Sequence, residues 1–216
     1  MRMRKKPWAQ EELNACPFFT DAPEKFINTW HERFAKHQPL HVELGCGKGG
    51  FISRIAVQNP EINYIAIDIK DAVLGLAVRK TIAAYEEAQK KPENVWIAAQ
   101  EITVIKNMLG ENDTVDRIYI NFCNPWPRTA HWKRRLTHPR QLEQYKIFMP
   151  HGEIHFKTDD DELFAASMGY FKESGFETVY LTNDLHQSGY EHNIMTEHEI
   201  MYMQEGKKIN FTIQKI

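Results

Sequence analysis

Apolar positions along this chain recur at two alternating periods. Short β-branched runs at 41–44, 63–69, 94–99 and 115–122 are separated by stretches whose apolar residues recur every three or four positions, with Asn59-Pro60, Pro92 and Gly110 marking where those stretches stop. The pattern predicts a strand at 41–44 with a helix from Phe51, a strand at 63–69, and a helix over 71–91 with Asp71 as N-cap. It continues with a strand at 94–99, a helix near 102–109, a strand at 115–122, and a helix over 137–148 with Thr137 as N-cap. Strands at 153–157 and 176–182 flank a helix at 162–174, and 208–216 alternates as a final strand. Strand and helix in short alternation imply a parallel sheet wound by right-handed crossovers, with ligands at the carboxyl ends of the strands. Upstream, Phe26, Ile27, Trp30 and Phe34 fall at helical spacing and predict a packing helix over 24–36. Residues 1–23 contain Pro7, Pro17 and Pro23 and read as an irregular arm anchored by Trp8 and Phe18-Phe19. The expected organisation is therefore an arm, 1–23, and one domain, 24–216.

Between the first strand and its helix lies Gly45-Cys46-Gly47-Lys48-Gly49-Gly50, a turn too bare to carry packed side chains. Such a loop lets a ligand approach the main chain, and the free N–H groups of the helix start favour polar or anionic groups. Two spacings overlap here. Gly45, Gly47 and Gly50 fit the G-x-G-x-x-G of dinucleotide folds, whereas Glu43, Gly45, Gly47 and Gly49 fit an acid-x-G-x-G-x-G that resembles the S-adenosyl-L-methionine loop of class I methyltransferases. Glu43 favours the second, because an acid inside the strand end attracts an ammonium and repels a pyrophosphate. Asp68 ends the second strand 23 positions after Gly45, near the spacing of the acid that binds ribose hydroxyls, and otherwise reads as a cap for the next helix. Gln100-Glu101 ends the third strand, where a carboxylate meets an adenine edge.

The fourth strand leads into Cys123-Asn124-Pro125-Trp126-Pro127. Two prolines around an indole make a stiff, unpaired exit, suited to stacking on a nucleobase or to packing beneath a helix. Arg128, Lys133, Arg134, Arg135 and Arg140 follow, with His131, Trp132 and His138 among them, and Arg2, Arg4, Lys5 and Lys6 form a second basic run. The net charge of −2 over 216 residues argues against a general nucleic-acid coat, so these runs point to phosphates met at a defined place. Thr158 to Asp161 would either hold a divalent ion or cap a helix, and capping by Thr158 or Asp159 is the expectation. The polar loop 183–199 is long enough to carry function. No apolar run reaches membrane length and the basic N-terminus lacks an apolar stretch behind it, so a cytoplasmic protein is expected. Three scattered cysteines and ten histidines without metal-ligand spacing read as free thiols and no metal.

These residues together resemble the bacterial tRNA (guanine-N7)-methyltransferase family over nearly the whole chain. The carriers are VELGCGKGGFI at 42–52, YIAIDI at 64–69, YINFCNPWPRTAHWKRRLT at 119–137, IHFKTD at 154–159 and NIMTEHE at 193–199. The resemblance implies an α/β class I methyltransferase fold, Rossmann-like and doubly wound, with a seven-stranded sheet mostly parallel and its last strand antiparallel. It implies S-adenosyl-L-methionine as cofactor, tRNA as partner and methylation of guanine N7 in the variable loop; no protein partner is implied, and the chain is expected as a monomer or a homodimer. By position, Glu43, Asp68 and Glu101 match cofactor-binding acids, while Arg128, Asp159, Thr196, Glu197, His198 and Glu199 match substrate-binding positions. Asn124 matches an aspartate used at the chemistry, contacting cofactor or base. That departure motivates the expectation of a slower enzyme, and keeps open an inactive tRNA-binding relative. Asn124-Pro125-Trp126 also resembles the Asn-Pro-Pro-aromatic motif of exocyclic-amine methyltransferases, and the G-x-G-x-x-G match leaves a nicotinamide oxidoreductase as a further alternative.

Overall fold

The computed structural model describes residues 6–216; Arg2, Arg4 and Lys5 of the N-terminal basic run lie outside them. Strands β1 (Phe19–Thr20), β2 (Leu40–Leu44), β3 (Asn63–Asp68), β4 (Val95–Ala99), β5 (Val115–Asn121), β6 (Glu153–Thr158), β7 (Glu177–Thr182) and β8 (Asn210–Lys215) form one sheet in the order β1-β4-β3-β2-β5-β6-β8-β7. Only β8 runs antiparallel to its neighbours, β6 and β7. The seven expected strands are all present, and β1 adds an eighth by pairing parallel with β4.

Alternation of side chains splits each central strand between two cores. On β2, β3 and β5, Leu40, Val42, Leu44, Ile65, Ile67, Ile118 and Ile120 face a core shared with α4 (Pro139–Phe148) and α5 (Asp161–Glu173). Tyr64, Ala66 and Tyr119 face the opposite core, under α1 (Pro7–Ala15), α2 (Ile52–Gln58) and α3 (Asp71–Glu87). Burial on both faces explains why the strands read as continuous apolar runs. The chain winds from β2 outward through β3 to β4, then returns to lay β5 on the other side of β2. This reversal opens a crevice at the carboxyl ends of β2 and β5.

Three expected elements differ. Residues 7–15 are helical, not irregular: Pro7 starts the helix, Ala9 and Leu13 are buried, and Trp8 lies against Gly75 of α3 beneath the Arg79 guanidinium, which itself pairs with Glu12. The segment 24–36 is not one helix but two 3₁₀ turns, Pro23–Phe26 and Trp30–Arg33. Asn28 between them sits at φ +65°, held because buried Asp113 accepts from the N–H groups of Asn28, Trp30 and Gly110. Residues 102–107 form 3₁₀ turns broken at Val104. The helix starts also shift: Asp71 is the first residue of α3 with no capping bond, and His138, not Thr137, caps α4 through Nδ1. Asp160, not Thr158 or Asp159, caps α5.

Candidate active site

The glycine loop is folded back against β3. The N–H groups of Gly45 and Cys46 both donate to the Ile67 carbonyl, and the Gly47 N–H donates to Asp68 Oδ2 at 3.1 Å. Asp68 Oδ1 accepts from the N–H of Ile69 at 2.7 Å. Asp68 thus fastens the loop to the strand end and caps no helix, while lining the crevice. Gly45, Gly47 and Gly49 all have positive φ, at +83°, +53° and +77°. At Gly49 a Cβ would stand 2.6 Å from the Ala77 Cα, so this position sets how closely the loop packs on α3. Gly49→Ala is expected to cost about 2–5 kcal/mol from left-handed strain plus overpacking, lowering the thermal midpoint by roughly 5–15 °C. A shift below roughly 2 °C in scanning fluorimetry would contradict that packing role.

Glu43, one residue inside the end of β2, is 3% exposed and points to the same face as Tyr119. Its Oε1 accepts from Asn121 Nδ2 at 3.3 Å, and its Oε2 is buried with no partner. Burial pushes this carboxyl up to about 8, against the opposing pull of Asn121 and Lys157. A buried carboxyl with an orphaned oxygen beside a bare loop, ready to ionise when a cation arrives, fits a cationic ligand group and not a pyrophosphate. Next along the row, Lys157 on β6 is also buried; its ammonium donates to Asn193 Oδ1, to the Ile194 carbonyl and to Glu199 Oε2.

Lys157 thereby seats the segment that leads into α6 (Glu197–Gln204) over the crevice. Thr196 and Glu199 form a capping box, each side chain accepting from the other's N–H, and Glu199 is fully buried. Of the four matched residues in this stretch, Thr196 and Glu199 hold the helix start. Glu197 and His198 are the exposed pair: Glu197 pairs with Lys80 of α3 and packs on Gly50, and the His198 ring stacks on Phe122. Asp159 lies outside this crevice, in a hollow with Lys207 and Lys208.

Across Asp68 the crevice widens into a cavity of about 800 Å³ that also takes in Ile69, Glu101, Asn124, Trp126 and Arg134. Trp126 therefore shares a groove with Asp68, and through it with the Glu43 pocket of about 470 Å³. Phe122 and Trp126 have φ of +52° and +45°, conformations that cost about 1–3 kcal/mol each and persist where the surroundings impose them. Asn124 Oδ1 accepts from the Trp126 N–H at 3.1 Å, and the His131 ring and Arg134 guanidinium contact the indole. Arg128, Lys133, Arg134 and Arg140 are exposed around it. Cys123 deeper in the loop is pushed up to about 12 by burial and stays a thiol.

Comparison with known proteins matches the chain to one family. A family model described as a putative methyltransferase matches residues 37–212. The tRNA (guanine-N(7)-)-methyltransferase of Clostridium beijerinckii is 58% identical over 99% of this chain and 98% of its own length. That of Acetivibrio thermocellus is 52% identical over 99% and 98%. The chain belongs to the tRNA (guanine-N7)-methyltransferase family. Among solved structures, the 16S rRNA methyltransferase KamB superposes with a TM-score of 0.60 at 13% identity, covering 92% of this chain and 94% of that one. That likeness concerns the fold. Two residues that build this crevice are not marked by spacing: Asn121, which holds Glu43, and Lys157, which anchors the 193–199 segment. Both sit within runs read simply as strand, and their only signal was a polar residue in a buried β position.

Proposed function

We propose that the chain transfers a methyl group from S-adenosyl-L-methionine to N7 of a guanine in the tRNA variable loop. The observation that carries this reading is the continuity of the groove: Glu43 and Asp68 at one end, Trp126 and an exposed arginine rim at the other. Glu43 and Asp68 would hold the cofactor by its ammonium and ribose hydroxyls, Glu101 would meet its adenine edge, and the glycine loop would leave room for its chain. When bound, the cofactor supplies an electrophilic methyl on a sulfonium. Trp126 stacks the target base, Arg128 and the exposed cations Lys133, Arg134 and Arg140 take the backbone phosphates, and Glu197 and His198 wall the groove opposite. Thr196 and Glu199 act in this reading by fixing α6, and Asp159 would meet RNA at the margin.

Guanine N7 carries a lone pair on its major-groove edge, so the attack requires no general base. The protein's contribution is then alignment and field: holding N7 in line with the methyl and stabilising the positive charge left on the base. Asn124 offers this site a dipole. Its Oδ1, the negative end of that dipole, is engaged by the Trp126 N–H. An exocyclic-amine enzyme needs that oxygen for the incoming amine, so the geometry favours N7. In Asn124→Asp one oxygen can keep the turn while the other places a charge beside the base. Turnover at saturating substrates is expected to rise, and unchanged or lower turnover would remove that role.

The atom itself is testable. A tRNA carrying 7-deazaguanine at the target position has no N7 lone pair; it should bind like ordinary tRNA and accept no methyl. Methylation of that tRNA at the same nucleotide would overturn the reading.

A further inference from the structure

The five cations that follow the fourth inner strand are not equivalent. Arg128, Lys133, Arg134 and Arg140 are exposed, but Arg135 is 3% exposed. Its Nε donates to the Pro125 carbonyl at 2.8 Å, and its guanidinium lies over the Trp132 ring at 4.8 Å from the centroid. Its own N–H is bonded to the Trp132 carbonyl, closing the turn Thr129–Arg134, and its carbonyl accepts from His138 at the start of α4. The backbone of Arg135 is thus fixed at both ends of the turn, its guanidinium is held by one carbonyl and one ring, and that carbonyl lies between Asn124 and Trp126. That loop holds Phe122 and Trp126 at positive φ, which proline rings and one asparagine side chain do not by themselves impose.

We infer that Arg135 is a positioning residue for the methyl-transfer site: it clamps the Asn124-Pro125-Trp126 loop through the Pro125 carbonyl and takes no phosphate. The inference rests on the methyltransferase reading above and assigns one member of the basic run to the enzyme's own backbone. A guanidinium suits this post because its planar fork donates in a fixed direction while its face packs on an indole. Releasing the carbonyl lets the loop relax, moving the stacking ring and the Asn124 amide together while leaving Glu43, Asp68 and the glycine loop in place.

Arg135→Met and Arg134→Met, assayed with unmodified tRNA and labelled cofactor, separate the two roles. In Arg135→Met, kcat is expected to fall roughly tenfold or more from misplacement of the base, with cofactor affinity and the salt slope of tRNA binding unchanged, and Arg135→Lys recovering part of the loss. In Arg134→Met the salt slope should drop by about one. An Arg135→Met enzyme with wild-type kcat, or one whose salt slope falls as in Arg134→Met, overturns the clamp. The wild-type protein gives a second reading that stands even if the variant fails to fold. On treatment with phenylglyoxal, Arg128, Arg134 and Arg140 should be modified and be protected by tRNA, with Arg135 unmodified throughout. Modification of Arg135 in the free protein together with its protection by tRNA would refute the inference. If wild-type protein transfers no methyl, the functional reading fails, while the labelling map still decides whether Arg135 is buried in its loop.

Discussion

Replacing Glu43 with glutamine is expected to weaken S-adenosyl-L-methionine binding roughly 30-fold or more, the low end of what removing one partner of a buried charge pair costs. Glutamine keeps the shape and can keep the contact with Asn121, so the loss isolates the charge. The free protein holds this carboxyl up to about 8 through burial, so at neutral pH most of it is protonated until a cation arrives. Binding an ammonium then releases a proton, and affinity should rise with pH between about 6 and 8, by up to about tenfold per unit. In the glutamine variant that rise should vanish. The stability effect has the opposite sense: an acid whose folded value is raised stabilises the fold below its unfolded value and loses that contribution as pH climbs through about 8. Glu43→Gln should therefore match or exceed the wild-type thermal midpoint at pH 9. Calorimetric titration across pH checks the first expectation, and an affinity loss under about threefold would contradict the assignment of Glu43.

Trp126→Ala should lower kcat/KM for tRNA roughly ten- to hundredfold, as expected for losing one base-stacking contact of about 1–3 kcal/mol. Cofactor affinity should change far less, because the cofactor is assigned to Glu43, Asp68 and Glu101 whereas the indole contacts His131 and Arg134. Trp126→Phe retains a π face and should recover most of the activity. Equal losses for Ala and Phe, or a parallel loss of cofactor affinity, would mean that the ring serves only to pack the proline turn against His131 and Arg134.

The sequence spoke most clearly where one interaction dominated. Continuous apolar runs located every inner strand to within a residue or two, since burial on both faces leaves little choice of side chain. The glycine turn, Glu43, Asp68 and the proline-framed Trp126 were legible because each depends on local geometry at a strand end. What escaped was set by distant partners. Buried Asp113 pulls Asn28 to positive φ and divides the helix expected over 24–36. Gly75 makes room for Trp8, and so lets Pro7–Ala15 dock as a helix where three prolines read as an arm. The stretch Thr196 to Glu199 shows the same limit within the site: spacing alone did not reveal that Glu199 turns inward to Lys157 while Glu197 and His198 stay outside. Nor did it distinguish Arg135 from the exposed cations beside it.

One groove that grips a methyl donor at Glu43 and presents a purine at Trp126 makes a single defined product. Its most direct test incubates the wild-type protein with unmodified tRNA and methyl-labelled S-adenosyl-L-methionine, followed by nucleoside mass spectrometry. Label is expected in 7-methylguanosine from the variable loop; label in another nucleoside, or none in tRNA that the protein demonstrably binds, would rule such a groove out.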